Sequence, residues 1–215
     1  MIKGLIFDLD GVIVNTDIYH FEAWKQVASQ YSIQLDSSIN ERLKGLSRRD
    51  SWNLIMELGN IQLSDEETNL VLETKNSLYR KELKNLSRDN ILLGVEDFLK
   101  ELNQKDFKLA IGSSSKNARD ILHYLNLSSS FNSIIDGSMV KNLKPSPDIF
   151  IKAAKTLDLE TNQCLVFEDA LSGVHAAKAG GFKVIAVGNK ELIDVADYYI
   201  DNFLNFKIDE YATVS

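Results

Sequence analysis

Short apolar runs alternate with helix-length patterns along most of this chain, and that alternation limits the fold more than any other feature. Leu5-Ile6-Phe7, Lys108 to Gly112, Ser133 to Asp136, Cys164 to Phe167 and Lys183 to Val187 each read as a buried strand. Tyr198 to Ile200 reads as an edge strand. Helical patterns lie between them: Gly94 to Leu102, a stretch ending near Leu125, Asp148 to Leu157, and Gly173 to about Gly180. Ser146 as N-cap and Pro147 at the first helical position would launch the third of these. Repeated βα units imply a parallel sheet with helices on both faces. Ligands of such sheets bind at the carboxyl ends of the strands.

One long stretch breaks the alternation. Asp17 to Tyr31 is amphipathic, with Thr16 or Asp17 as N-cap. Asn40 to Leu58 gives two helical pieces broken by Lys44-Gly45-Leu46-Ser47-Arg48-Arg49, and Ser47 caps the second. Ser64 to Leu83 is a long helix whose Ser64 and Glu67 form a capping box. Residues 16–86 are therefore expected to form a helical domain inserted into an α/β core of residues 1–15 and 87–215.

Composition narrows the partners. A net charge of −7 and a pI near 5.0 argue against nucleic acid. A single cysteine, Cys164 in an apolar run, excludes an internal disulfide and suits a reducing compartment. The N-terminus is not a signal peptide, and no apolar run approaches membrane-spanning length. A cytoplasmic monomer acting on a small molecule is the expectation. His123 and His175 fall inside helical patterns and are assigned no chemistry.

Chemistry concentrates where the strands end. Asp8-Leu9-Asp10-Gly11 follows the first strand. One carboxylate fixed at a strand tip and one swinging from the next loop suit a nucleophile and a general acid/base. Ser113-Ser114-Ser115-Lys116-Asn117 joins a strand to a helix, where hydroxyls and backbone N–H groups can seat a phosphate. Lys144 is stiffened by Pro145, and Glu168-Asp169 closes another strand. Each has a bland reading alone: a turn, a helix cap, a surface lysine. His20 and Trp24, four apart, could be a packing face, and Arg48 part of a solvated basic turn. The fold, however, would gather Asp8, Asp10, Ser113, Lys116, Lys144, Glu168 and Asp169 on one rim. Oxygen ligands there suit a hard divalent cation, Mg²⁺ above all, and Mg²⁺ beside a phosphate seat points to phosphoryl transfer through an aspartyl phosphate.

Asp8-Leu9-Asp10-Gly11, Ser113, Lys144-Pro145 and Glu168-Asp169, in this order, resemble the four motifs of the haloacid dehalogenase-like superfamily. The resemblance implies a Rossmann-like α/β core with an all-helical cap. Within the superfamily, Thr16, Tyr19-His20, Trp24, Leu43 to Arg48, Lys75 and Ser113 to Asn117 resemble the β-phosphoglucomutase family. That likeness implies interconversion of β-D-glucose 1-phosphate and glucose 6-phosphate, primed by β-glucose 1,6-bisphosphate. It makes Asp8 the nucleophile and a metal ligand. Asp10 becomes the acid/base and lends its carbonyl to the metal. Glu168 and Asp169 complete the metal site, and Ser113 and Lys144 hold the transferring phosphoryl group. Arg48 would grip the distal phosphate. Gly45, Leu46, Ser115, Lys116 and Asn117 would line the sugar site, with Trp24 also among the substrate-binding residues. His20 and Lys75 would link substrate engagement to closure, and Thr16 would sit at the hinge. Asn15 and Ala170 depart from the family pattern, which commonly has Asp and often Ser there. A sugar-phosphate phosphatase of the same superfamily is the alternative.

Overall fold

The computed structural model describes residues 1–43 and 46–212. They form two compact units, Met1–Asn15 with Ser87–Ser215, and Thr16–Leu86. The first holds six strands: β1 (Gly4–Phe7), β2 (Lys108–Gly112), β3 (Ser133–Ile135), β4 (Cys164–Glu168), β5 (Lys183–Val187) and β6 (Tyr198–Ile200). Every pairing is parallel, and the order across the sheet is β3-β2-β1-β4-β5-β6. The strand order therefore reverses beside β1, where open α/β sheets leave a crevice.

Both β1 and β4 are wholly buried, which is why they read as continuous apolar runs rather than alternating ones. Successive side chains point to opposite faces. On one side Ile6 and Val166 pack with Phe150, Ala153, Val174 and Val184. On the other, Phe7 stacks on Phe167 at 4.7 Å and 8°, and Phe98, Phe203 and Phe206 close around them. Such ring pairs add about 0.5–1.5 kcal/mol each beyond their buried area. They lock together the two strands whose tips carry Asp8 and Glu168. The register pairs Phe7 with Phe167, and the Asp8 N–H donates to the Phe167 carbonyl at 2.9 Å.

The helices of this unit are α5 (Val95–Leu102), α6 (Ala118–Tyr124), α7 (Asp148–Thr156), α8 (Leu171–Ala179) and the short α9 (Asp209–Ala212). The cap of α7 and the start of α8 differ from the sequence reading. Pro147, not Ser146, occupies the N-cap of α7, because the Ser146 hydroxyl donates to Asp148 Oδ1 at 2.7 Å instead of serving the helix. Helix α8 begins at Leu171 rather than Gly173, with extended Ala170 as its cap.

The second unit contains α1 (Asp17–Ser29), α2 (Ser37–Leu43), α3 (Arg48–Leu58) and α4 (Asp65–Glu82). Ser47 accepts from the Asp50 N–H at the start of α3, and Ser64 and Glu67 make a full capping box on α4. Helix α2 starts three residues before the expected Asn40, because Asp36 Oδ1 accepts from the N–H groups of Ser38 and Ile39. The unit has its own core: Trp24 lies parallel to Trp52 at 6.0 Å, among Val27, Ile55, Leu43 and Val71. Among the described residues no helix is long and apolar enough to cross a membrane.

Candidate active site

The strand tips of the α/β unit gather an acid cluster around one lysine. Asp8 leaves β1 at 8% exposure, and Glu168 ends β4 at 1%. Lys144, on the loop before α7, donates to Asp8 Oδ1 and, at 2.5 Å, to Glu168 Oε1. Its ammonium also stands 4.6 Å from the centre of the Phe150 ring. Gly11 holds a left-handed φ of +83°, and its N–H donates to the Val14 carbonyl at 2.8 Å, which turns the chain just beyond Asp10. A Cβ at Gly11 would fall on the Asp169 carboxylate, so the missing side chain lets Asp169 lie over the Asp8–Asp10 loop. A Cβ at Gly173 would likewise fall on the Glu168 carboxylate. The Ala170 N–H donates to Glu168 Oε2 at 2.8 Å.

Electrostatics follow from this crowding. Burial, reinforced by Glu168 and Asp10, pushes Asp8 up to about 7 although Lys144 pulls it down. Burial and the neighbouring Glu168 and Asp8 hold Asp169 well above the usual carboxylate range. Burial alone would lower Lys144, but Asp8 and Glu168 more than offset it and keep the ammonium above its ordinary value. Four carboxyl groups thus share one ammonium, and the cluster has room for further positive charge.

Ser113 lies beside this cluster on β2's exit, 2% exposed. Its N–H donates to the Ile135 carbonyl at 3.0 Å, and its hydroxyl accepts from the Ser115 N–H at 3.1 Å. The Ser115 hydroxyl accepts in turn from the Asn117 N–H at 3.2 Å. Asn117 is buried, Ser115 half-buried and Lys116 exposed.

In the helical unit a second constellation forms. Lys75, 1% exposed, brings its ammonium 2.7 Å from His20 Nδ1, 4.9 Å from the centre of Trp24 and 4.8 Å from that of Tyr79. An ammonium only donates, so Nδ1 accepts and the His20 proton sits on Nε2. Burial, then the charges of Lys75 and Arg48, hold His20 well below its ordinary value, so it is neutral. Arg48, the first residue of α3, donates to Asn76 Oδ1 at 2.9 Å. Trp24 is 3% exposed and belongs to the packed core of this unit, so it offers a ligand little surface. Leu46 is exposed and Thr16 buried. Gly45 lies outside the described residues.

Residues 5–187 match the haloacid dehalogenase-like hydrolase model. The chain belongs to that family. It is 37% identical over 200 residues to the β-phosphoglucomutase of Bacillus subtilis (strain 168), covering 92% of this chain and 88% of that one. The crystal structure of β-phosphoglucomutase from Clostridium difficile superposes with a TM-score of 0.87 at 36% identity, covering 98% of this chain and 95% of that chain. A phosphorylated carbohydrates phosphatase of Thermotoga maritima is 31% identical over 85% of this chain and 83% of its own length. The α/β unit is thus a haloacid dehalogenase-like core, and the chain is an enzyme of that family.

The donor set of this family core fits a hard divalent cation. Asp8, Asp10, Glu168 and Asp169 are all oxygen donors, and their mutual repulsion is offset by Lys144 alone among the groups that act on Asp8 and Asp169. No group of three or more His, Cys, Asp or Glu side chains is closed into a ready cage among the described residues. Mg²⁺ needs none, because it is usually held by one or two carboxylates with water and substrate phosphate completing its shell.

Several contributors escaped the sequence reading. Gly173 looked like a helix start, and its role is the space it leaves for Glu168. Asp136, buried at the tip of β3, accepts from the Ser138 N–H at 2.9 Å and pairs with Arg119 at 3.3 Å, bracing the loop beside Ser113. Asn76 and Tyr79 complete the Arg48–Lys75 constellation. Asn76, Lys75 and Tyr79 lie within five residues of α4, so helical spacing from Lys75 was the one usable signal.

Proposed function

We propose that the chain interconverts β-D-glucose 1-phosphate and glucose 6-phosphate through an aspartyl-phosphate enzyme and β-glucose 1,6-bisphosphate. The observation that carries this reading is that the helical unit has a cationic centre of its own, Arg48 with Lys75, in addition to the acid cluster that surrounds Lys144 in the core. A mutase must hold a sugar with a phosphate at either end, and a simple phosphatase need hold only one. The similarity to β-phosphoglucomutases of two bacteria supports the same reading.

In this mechanism phospho-Asp8 gives its phosphoryl group to the C6 hydroxyl of β-glucose 1-phosphate. Asp10 takes the hydroxyl proton as that oxygen bonds to phosphorus. The bisphosphate then turns end for end. Asp8 attacks the C1 phosphoryl group, the bond from phosphorus to the C1 oxygen breaks, and Asp10 returns the proton to that oxygen. Glucose 6-phosphate leaves and phospho-Asp8 is restored. Lys144 and Ser113 hold the equatorial oxygens of the group in flight. Mg²⁺, carried by Asp8, the Asp10 carbonyl, Glu168 and Asp169, would supply further neutralisation of its charge. Arg48 holds the distal phosphate, while Leu46, Ser115, Lys116 and Asn117 contact the sugar. His20 and Lys75 couple phosphate engagement to closure of the cap, and closure excludes the water that would hydrolyse phospho-Asp8. Thr16 acts at the hinge.

The test is a coupled assay for glucose 6-phosphate with Mg²⁺ and β-glucose 1-phosphate, with and without a trace of the 1,6-bisphosphate, reading free phosphate in parallel. Primed formation of glucose 6-phosphate with little free phosphate is expected. Free phosphate as the main product without priming would refute the mutase and establish a sugar-phosphate phosphatase.

A further inference from the structure

We infer that Asn189 is a positioning residue for Asp169, holding its backbone through the main-chain carbonyl, and through that residue for the divalent cation. The inference rests on the metal reading above and extends it to a residue outside the four motifs. Strand β5 pairs with β4 so that Ala186 lies beside Glu168. The loop leaving β5 therefore emerges next to the loop that carries Asp169. Gly188, at a left-handed φ of +71°, turns the chain there, and its N–H donates to the Ile200 carbonyl at 2.9 Å.

Asn189 follows and uses all four of its polar groups. Its backbone N–H donates to the Val187 carbonyl at 2.9 Å, and its carbonyl accepts from the Leu192 N–H at 3.1 Å. Its side-chain oxygen accepts from the Glu191 N–H at 3.1 Å. Its side-chain NH₂ donates to the Asp169 carbonyl at 3.0 Å. That last bond reaches across to the residue whose carboxylate lies over Gly11. The position next to Asp169 in sequence cannot supply such a tether, because Ala170 has no polar side chain. Asn suits both tasks at this reach: Asp lacks the donor, and Gln is a methylene too long. Bonds that orient metal ligands without touching the metal typically matter 10–100-fold for affinity.

The experiment separates the tether from the loop cap. Asn189→Ser keeps a hydroxyl that can cap the Glu191 N–H but cannot reach Asp169, whereas Asn189→Ala loses both. Mg²⁺ is titrated calorimetrically into the full chain without substrate, and unfolding temperatures are read in chelator. Asn189→Ser is expected to bind Mg²⁺ about 10-fold or more weakly than wild type while unfolding at the wild-type temperature. Wild-type affinity in Asn189→Ser would overturn the inference. So would a loss of unfolding temperature in Asn189→Ser as large as in Asn189→Ala, since Asn189 would then be structural. Failure of the wild-type chain itself to bind Mg²⁺ would overturn the metal reading beneath it, and the wild-type titration shows this separately.

Discussion

Replacing Lys144 by Met tests the electrostatic account of the core directly. The Lys144 side chain is 6% exposed, its Glu168 partner 1%. Met keeps most of the stem length and can still pack its sulfur against Phe150, so little packing is lost. What disappears is the ammonium between two buried carboxylates. Removing one partner of a buried pair costs about 3–5 kcal/mol, because the other charge is left without compensation. In a chain of this size about 1 kcal/mol moves the unfolding midpoint by roughly 2–4 °C. The expected fall is therefore about 6–20 °C, measured by calorimetry in chelator at neutral pH. Adding Glu168→Gln to Lys144→Met removes one stranded carboxylate and should recover part of the loss, by at least about 1 kcal/mol in a double-mutant cycle. Tryptophan fluorescence is the wrong probe, since both tryptophans, Trp24 and Trp52, lie in the helical unit. An unfolding midpoint for Lys144→Met within about 2 °C of wild type would refute the reasoning, for the carboxylates would then not depend on Lys144.

Two further predictions read other parts of the molecule. Gly173→Ala forces a methyl group onto the Glu168 carboxylate; it should cost about 1–3 kcal/mol in calorimetry and cut Mg²⁺-dependent turnover sharply, and full activity at wild-type stability would refute it. His20, faced by Lys75 and Tyr79 from α4 and by Arg48 from α3, is held neutral with its folded value below the unfolded one. The unfolded chain therefore binds more protons below about pH 6.5, and the stability tied to neutral His20 is full above that pH and lost as pH falls. Urea unfolding followed by tryptophan fluorescence at pH 7.5 and 5.5 should show a smaller acid loss in His20→Gln than in wild type. Equal losses in the two proteins would remove His20 from the account.

The strands were legible because burial on both faces leaves an unbroken apolar record. Lys108–Gly112, Lys183–Val187 and Tyr198–Ile200 have the bounds that their composition predicts. The strand order beside β1 then explains why groups from four separate loops meet. The helix starts were less legible where a capping residue had another use: Ser146 spends its hydroxyl on Asp148. The least visible contributors act through space rather than along the chain. Gly11 and Gly173 matter by the volume they do not fill, and Asn189 by a bond to a residue twenty positions away. Lys75 shows the same limit from the other side. A lysine on a polar helix reads as solvated, yet it is buried because His20, Trp24 and Tyr79 together give its ammonium an acceptor and two ring faces.

The two units differ in the sign of the charge they concentrate, and that difference bears on the chemistry. Around Asp8 the acids outnumber the lysine, so the core by itself repels a phosphate and needs added positive charge to receive one. On the proposed function, phosphoryl transfer there would depend on a divalent cation. The helical unit instead places Arg48 and Lys75 around a histidine that burial, and then those charges, keep neutral, so it can meet a phosphate with no metal. A bisphosphate carries two anionic ends, and one end is transferred while the other is only held. Transfer demands neutralisation that changes as bonds form and break, which suits a metal with exchangeable ligands. Holding demands a fixed, always-charged donor, and Arg is the residue whose charge no accessible pH removes. Charge and chemistry, beside the likeness to relatives, therefore support the proposal that Asp8 meets the reacting phosphate and Arg48 the distal one.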